Sequence, residues 1–342
     1  MYSLDTLELI DFELSSHCNS KCPQCPRYDM FGNVYKDLNL THLSYETVAK
    51  LPVEKMKNLK RITFRGNFGD PLMNPELDKI IDLFHKQDVH ISTNASLRDV
   101  EWWKKLGSKK NVEVVFCIDG SESTHHLYRR NTSYKKIMNN AEAFISAGGK
   151  AIWQFIVFKH NEHEIEQTKK LSKKMGFHEI NFMYSERFDV DSKFKVYEKN
   201  KYLDYDLEKS SKQVLLRERL GAGDGEKYWK KLNEGKSKIT CVWSQRKEIY
   251  IHSDATVYPC CMIGTTQVGK NIEKLLFNKL VKDITKINLK KNSFADILES
   301  EVFMKNFPES LQGKPFSHPT CIEWCNKATG KIANSDLNTV NT

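Results

Sequence analysis

The chain has 342 residues, of which 39% are hydrophobic, and its formal net charge is +9. This length suits one large domain or a domain with an appended module, and so modest a charge, without an aromatic-interleaved basic motif, gives no basis for nucleic-acid binding. No apolar stretch reaches the roughly 20 residues of a membrane span. The N-terminus is acidic and lacks the basic-then-apolar order of a signal peptide, so we expect a cytoplasmic protein without a membrane partner.

Short apolar runs alternate with amphipathic segments from residue 8 to about residue 185. The runs predict six strands, and the segments between them predict five helices. Because such alternation is typical of a parallel sheet with right-handed crossovers, we expect an α/β fold with a partial (β/α)6 barrel of the TIM type. The predicted strands are LELIDFELS, RITFRG, VHISTN, VEVVFCIDG, AIWQFIVF and HEINFMYS, and the predicted helices span 45–57, 75–87, 97–106, 134–147 and 164–175.

The sequence changes in character after the sixth predicted strand. Residues 186–240 are charged and rich in Lys and Glu, and from Cys241 a predicted β-hairpin, KEIYIHSDATVYPCC, is followed by irregular sequence with further cysteines. We therefore predict two domains, 1–235 and 236–342. The most basic run, 279–293, is typical of a solvated helix face, and the alternative is a patch that attracts an acidic substrate or a nucleic acid.

The nine cysteines form one group near each end, with a single cysteine between them. An odd count without an export signal favours metal or catalytic thiols over disulfides. Cys18, Cys22 and Cys25 directly follow the first predicted strand, at the edge where parallel α/β proteins bind ligands. Three thiolates suit a 4Fe–4S cluster with one iron free of protein ligands. The alternative is a structural zinc site that takes a fourth ligand, such as Cys241, from elsewhere.

This C-x3-C-x2-C pattern after strand one resembles the radical S-adenosylmethionine (SAM) superfamily. The resemblance implies that SAM binds the free iron through its amino and carboxylate groups. RGNFGDP, after the second predicted strand, resembles the family's Gly-Gly-Glu motif, with Asp70 at the glutamate. Gly66 and Gly69 would let the backbone approach SAM closely, and Asp70 would accept its ammonium group. Asn94, in STNAS, is a further candidate for the SAM pocket.

FCIDGSESTHHLYRR, at the end of the fourth predicted strand, resembles the family stretch Ser-x-Asp-Gly…His…Arg. Cys117 stands where a serine contacts SAM, and the alternative is a small buried core residue. Arg129 matches the arginine that pairs with the SAM carboxylate, which its planar fork fits, and Arg130 is the alternative if the alignment shifts by one. The family usually has an aromatic residue before the third cysteine; here that residue is Gln24, and Tyr28 is a candidate to replace its packing.

Four later cysteines resemble the ligands of a twitch domain, the abbreviated form of the SPASM iron–sulfur module. IHSDATVYPCC looks like its hairpin, with Ala255 at the usual glycine. The resemblance implies an auxiliary 4Fe–4S cluster with all four irons ligated by protein, and it leaves Cys261 over. A structural zinc site with the same thiolates is the alternative. The four residues are Cys241, Cys260, Cys321 and Cys325.

The resemblance implies an enzyme that cleaves SAM to methionine and a 5′-deoxyadenosyl radical, which takes a hydrogen atom from a substrate. We predict an oxidoreductase that dehydrogenates a small polar, sugar-like molecule. The auxiliary cluster would accept the electron, and a flavodoxin or ferredoxin would supply the electron for SAM cleavage. The expected cofactors are therefore two 4Fe–4S clusters and SAM.

Other functions remain open on the sequence alone. An epimerase would need a thiol to return a hydrogen atom, for which Cys261 or Cys117 could serve. A peptide (RiPP) maturase is possible, although only a short segment precedes the first cysteines. A zinc-stabilised binding protein is the non-enzyme alternative. Gln154, Tyr184 and Glu186 are candidate substrate contacts.

Overall fold

A computed structural model describes residues 2–185, 187–188, 192–213, 239–269 and 271–325. All six strands expected in the first half of the chain are confirmed. Each pairs in parallel with the next along the chain, so the sheet order is also the chain order. The strands are β1 (Leu9–Phe12), β2 (Arg61–Phe64), β3 (Asp88–Thr93), β4 (Val112–Cys117), β5 (Lys150–Val157) and β6 (Glu179–Tyr184).

Helices connect these strands, and three of them begin where a side chain accepts a backbone N–H group. Ser44, Asp99 and Ser133 each cap a helix in this way. The first predicted helix is shorter than expected, because Pro52 cannot donate an N–H inside a helix and only a 3₁₀ turn, Val53–Lys55, follows it. The helices are α1 (Tyr45–Ala49), α2 (Leu77–Asp82), α3 (Val100–Gly107), α4 (His125–Tyr128), α5 (Tyr134–Ser146) and α6 (Ile165–Met175).

Alternation along the strands separates two faces of the sheet. Phe12 and Phe64 lie in the outer core under the helices, where their rings contact Phe84, and Phe116 contacts Trp103 of α3 in the same layer. Because successive residues of a strand point to opposite faces, the residues between them lie on the inner face of the curved sheet. A barrel binds its ligands at the carboxyl ends of these strands.

A β-hairpin that the sequence analysis did not predict lies in the charged connector. Strands β7 (Lys193–Glu198) and β8 (Lys201–Glu208) pair antiparallel. Val196 and Leu207 are buried in a second apolar cluster that includes Cys22. The hairpin therefore packs over the loop that carries the first three cysteines.

The predicted C-terminal hairpin is confirmed, and it continues the main sheet. Strand β9 (Glu248–Ile251) pairs in parallel with β1, and β10 (Val257–Tyr258) pairs antiparallel with β9. The eight strands are ordered β10-β9-β1-β2-β3-β4-β5-β6, so β10 and β6 are the edges of an open, partial barrel. The boundary predicted at 235/236 lies outside the described residues and stays a prediction.

The expectation of irregular sequence after this hairpin is wrong, since short helices follow it. The basic run 279–293 covers the end of one helix and a 3₁₀ turn, Ile284–Ile287. No helix among the described residues is long and apolar enough to cross a membrane. The C-terminal helices are α7 (Val242–Gln245), α8 (Cys261–Thr265), α9 (Ile272–Val281), α10 (Phe294–Leu298), α11 (Phe307–Ser310) and α12 (Pro319–Cys325).

Phe12→Ala is expected to lower the free energy of unfolding by about 3–5 kcal/mol, because it empties a fully buried site among aromatic rings. Leu275→Ala is the control: its side chain is 59% exposed, and we expect a change within about 0.5 kcal/mol. Denaturant titration measures both. A loss below about 1 kcal/mol for Phe12→Ala would contradict the outer core described above.

Candidate functional site

Cys18, Cys22 and Cys25 lie in the loop that leaves the carboxyl end of β1. Ser20, between the first two, contacts both sulfurs: its N–H lies 3.4 Å from Cys18 Sγ and its hydroxyl 3.0 Å from Cys22 Sγ. Burial raises the pKa of Cys18, and burial together with Cys22 raises the pKa of Cys25 to about 11. Such thiols stay protonated at neutral pH unless a cation binds them, so the loop suits metal ligation coupled to proton release.

The RGNFGD loop packs directly on the cysteine loop. Gly69 approaches so closely that a Cβ there would lie 1.9 Å from the carbonyl oxygen of Ser15, and one on Gly66 would lie 1.7 Å from that of Gly69. The N–H of Asp70 donates to the His17 carbonyl at 2.9 Å. The structure thus requires both glycines for backbone packing, whereas their contact with SAM stays a prediction.

The Asp70 carboxylate joins this loop to the end of β3. It is 4% exposed and accepts hydrogen bonds from the Thr93 hydroxyl at 2.8 Å and the N–H groups of Asn94 and Leu72 at 2.8 and 3.0 Å. Burial raises its pKa, against the effect of these donors. Asp70 therefore has a structural role, because it joins two loops, in addition to its predicted role of accepting the SAM ammonium group.

Asn94 and Arg129 both lie beside the cysteine loop. Asn94 Nδ2 lies 3.8 Å from Cys18 Sγ, and Arg129 Nη1 lies 3.8 Å from Cys22 Sγ. Arg130 instead pairs with Glu198 of the hairpin. Arg129 thus contacts a cysteine sulfur, and its pairing with the SAM carboxylate stays a prediction.

Cys117 lies at the end of β4 in the same region, 8% exposed, with Gln154 Nε2 at 4.0 Å from its sulfur. Arg129 and Asp119 are among the charges that act on it. Sequence analysis missed Asp119, which is fully buried and accepts from Arg129 Nε at 2.5 Å. Its position two residues after β4, in the stretch IDG, could have identified it from the sequence as a candidate site residue.

A cavity of about 390 Å³ lies between the cysteine loop and the β7–β8 hairpin. Cys22 and Tyr28 line it from the loop, and Tyr197 and Glu198 line it from the hairpin. Gln24 turns away from it, since its amide donates to the Arg187 carbonyl at 2.8 Å. The hairpin thus shields the cysteine loop from one side.

The structure brings the four C-terminal cysteines together, all of them buried. Cys241 and Cys260 cap α7 and α8, with the N–H groups of Ser244 and Ile263 at 3.4 and 3.5 Å from their sulfurs. The Cys325 thiol donates to Cys241 and lowers the pKa of Cys241 to about 6. Charge interactions also connect Cys241 with Cys260 and Cys321.

The donor chemistry of both cysteine sets fits iron–sulfur clusters. Three thiols in one loop would leave an iron for SAM, and the four C-terminal thiols would suit a second cluster. Among the described residues, no three His, Cys, Asp or Glu side chains converge as ligands of one metal ion. A structural zinc site held by the same thiolates stays the alternative, and metal analysis of the purified protein separates the two.

Polar contacts connect the RGNFGD loop with the C-terminal strands. Asn67 Nδ2 donates to the Tyr250 hydroxyl at 3.1 Å and to the Cys261 carbonyl at 3.0 Å. His252, after β9, lies between the carboxylates of Glu13 and Asp254 at 3.3 and 3.1 Å, and these neighbours raise its pKa despite burial. Sequence analysis missed this network, because its members lie far apart in the chain.

Residues 12–172 match the radical SAM superfamily, and residues 241–327 match the SPASM iron–sulfur cluster-binding domain. Over 195 residues the chain is 24% identical to a cysteine-type anaerobic sulfatase-maturating enzyme from Clostridium novyi (strain NT). The alignment covers 53% of this chain and 51% of that enzyme, so the chain spans about half the length of this curated relative.

Solved structures with a similar fold share little sequence with this chain. Streptococcus suis SuiB bound to the precursor peptide SuiA has a TM-score of 0.56 at 13% identity, over 88% of this chain and 66% of SuiB. Native anSMEcpe with bound AdoMet has a TM-score of 0.55 at 18% identity, over 87% and 81% of the two chains. Native anSMEcpe with bound AdoMet and the Cp18Cys peptide has a TM-score of 0.54 at 17% identity, over 90% of this chain and 83% of that chain. These likenesses confirm the fold expected from the sequence.

Replacing Cys18, Cys22 and Cys25 by alanine is expected to halve the iron content, from about eight to about four irons per chain, because only one of two four-iron clusters is lost. Iron and sulfide analysis of anaerobically purified protein measures this. Cys117→Ala is the control and should keep all the iron. Zinc in place of iron in the unaltered protein would contradict both cluster assignments.

Asp70→Ala and Arg129→Ala are each expected to weaken SAM binding roughly ten- to hundredfold, since a charge-assisted contact is worth about 1.5–3 kcal/mol. Equilibrium binding of SAM to the cluster-loaded protein measures the effect. Arg130→Ala is the matched control, because that arginine pairs with Glu198. Equal SAM affinity in the Arg129 and Arg130 variants would count against the predicted pocket.

Proposed function

From a chain that carries a radical SAM domain followed by a SPASM iron–sulfur domain, we propose an enzyme that uses SAM to modify a peptide. The radical SAM domain implies SAM and a 4Fe–4S cluster as cofactors, and the SPASM domain implies further iron–sulfur ligation. The peptide as substrate and the modification of it are our proposals.

One observation carries the proposal: both cysteine sets are attached to neighbouring strands of one sheet. The first set follows β1, and the second flanks β9 and β10, which continue the sheet from β1. Because β9 is parallel to β1 and β10 antiparallel to β9, Cys241 and Cys260 lie toward the end of these strands opposite the first set, and the inner face extends between the two sets. A substrate on that face would lie between the SAM site and the auxiliary cluster.

The residues of the first site would hold the cofactors and orient SAM. When bound, the reduced cluster and SAM supply a 5′-deoxyadenosyl radical that takes a hydrogen atom from the substrate. Cys18, Cys22 and Cys25 would ligate the cluster, and Arg129 would take the SAM carboxylate while Asp119 holds its Nε in place. The β7–β8 hairpin would limit the access of water to this site.

A peptide substrate is favoured over a sugar-like molecule by the relatives. SuiB is described as bound to a precursor peptide, anSMEcpe as bound to a peptide, and the Clostridium relative as a sulfatase-maturating enzyme. None of these supports the predicted dehydrogenation of a small polar molecule, and the role of the auxiliary cluster as electron acceptor stays a prediction. Of the candidate substrate contacts, Gln154 and Tyr184 are partly buried, and Glu186 lies outside the described residues.

The test is anaerobic incubation of the reduced protein with SAM, followed by chromatography for 5′-deoxyadenosine. We expect 5′-deoxyadenosine from the unaltered protein and none from the variant without Cys18, Cys22 and Cys25. Peptides encoded beside the gene are then added, and a mass change in one of them is expected. Product from a sugar alcohol but from no peptide would support the dehydrogenase instead, and absence of 5′-deoxyadenosine would reject the whole proposal.

A further inference from the structure

A charged cluster lies on the inner face of the sheet, apart from the predicted SAM contacts. Arg65, directly after β2, donates through Nε to Asp11 Oδ1 and through Nη2 to Glu248 Oε1, both at 3.2 Å. Asp11 belongs to β1 and Glu248 to the neighbouring β9. Both carboxylates are buried, whereas the Arg65 side chain is 46% exposed.

The alternation of the strands fixes this cluster on the inner face. Ile10 and Phe12, on either side of Asp11, are fully buried in the outer core, as is Phe64 next to Arg65. Side chains between such neighbours point to the opposite face. In a barrel enzyme the active site lies at the carboxyl ends of the strands, and Arg65 directly follows such an end.

This cluster buries two carboxylates beside the Arg65 guanidinium, which is costly even though Arg246 also acts on Glu248. Two carboxylates share one guanidinium, and Asp11 Oδ2 is buried 3.1 Å from Arg65 Nη2 without hydrogen-bond geometry. Burial and Asp11 raise the pKa of Glu248 to about 7. Because a buried, incompletely paired ion costs stability, its presence on the inner face of the sheet points to a role in binding or chemistry.

The thiol of Cys261 lies beside this charged cluster. Asp11, Arg65 and Glu248 are the charged groups that act on it, and Asn67 of the RGNFGD loop donates to its carbonyl oxygen at 3.0 Å. Cys261 is partly exposed, while the four C-terminal cysteines that converge are buried. Cys261 is therefore a partly exposed thiol whose backbone is held by the loop that also carries Arg65.

We propose that Cys261 is a hydrogen-atom donor to carbon radicals formed on the inner face, an inference that rests on the proposed function. Its S–H bond breaks, a C–H bond forms on the substrate, and a thiyl radical remains. One electron from the low-potential donor that also serves SAM cleavage, and one proton from solvent, restore the thiol. The substrate then gains back the hydrogen atom it lost, so its change is redox-neutral, as in stereochemical inversion.

The test needs no known substrate. Without a substrate, the 5′-deoxyadenosyl radical is itself the carbon radical that can take a hydrogen atom from the Cys261 thiol. In D2O the thiol carries deuterium, whereas carbon-bound hydrogens of the protein do not exchange. O–H and N–H bonds are stronger than S–H bonds and do not compete. We expect 5′-deoxyadenosine with one deuterium from the unaltered protein, detected by mass spectrometry.

Cys261→Ala should still form 5′-deoxyadenosine but lose at least about nine-tenths of the label, a tenfold change. Leu275→Ala is the control, since it changes an exposed side chain outside both sites and leaves every thiol in place, and it should keep the label. Unlabelled product from the unaltered protein, or equal label in both variants, would overturn the inference. No 5′-deoxyadenosine at all would instead reject the proposed function.

A second measurement separates a donor from a metal ligand. With both clusters loaded, prolonged iodoacetamide treatment at alkaline pH and peptide mapping should find Cys261 alkylated and Cys260 protected, since burial raises the pKa of the Cys261 thiol and slows its reaction. The Cys261→Ala variant should keep the full iron content. Protection of Cys261 together with loss of iron in its variant would make it a ligand and overturn the assignment.

Discussion

The buried carboxylate of Glu13 is the contact on which the arrangement of the site depends. It directly follows β1 and accepts hydrogen bonds from the N–H groups of Phe68 and Gly69 and from the Tyr250 hydroxyl at 2.6, 3.1 and 2.6 Å. Burial raises its pKa, while His252 and these donors favour the ionised form. One side chain thus holds together the strand before the first cysteines, the glycine loop and the strand that leads to the second set.

The strands could be predicted from local residue patterns, whereas contacts between strands far apart in the chain could not. In LELIDFELS the apolar residues Ile10 and Phe12 alternate with acids, which was enough for a strand and also marks an inner face with carboxylates. Asp11 meets Arg65 and Glu248 only because β9 pairs with β1. These two strands are more than two hundred residues apart in the chain. No local signal carries such a pairing.

The β7–β8 hairpin was missed for a related reason. Phe194, Val196 and Leu207 are separated by charged residues that make the segment look like a solvated connector. Their partners are Cys22 and Phe158, in loops from other parts of the chain. A short hairpin of this kind is stable only when packed on something else, so its formation follows from the cysteine loop rather than from its own composition.

The second cysteine set would also have a structural role that does not depend on electron transfer. The helices α7, α8 and α12 have four, five and seven residues, too few for stability on their own. A cluster ligated by Cys241, Cys260, Cys321 and Cys325 would cross-link all three, as metal binding does in small cysteine-rich domains. If Cys261 returns a hydrogen atom, no electron acceptor is needed for the substrate. The auxiliary cluster then acts first by fixing the start of α8, and with it the thiol, against the inner face.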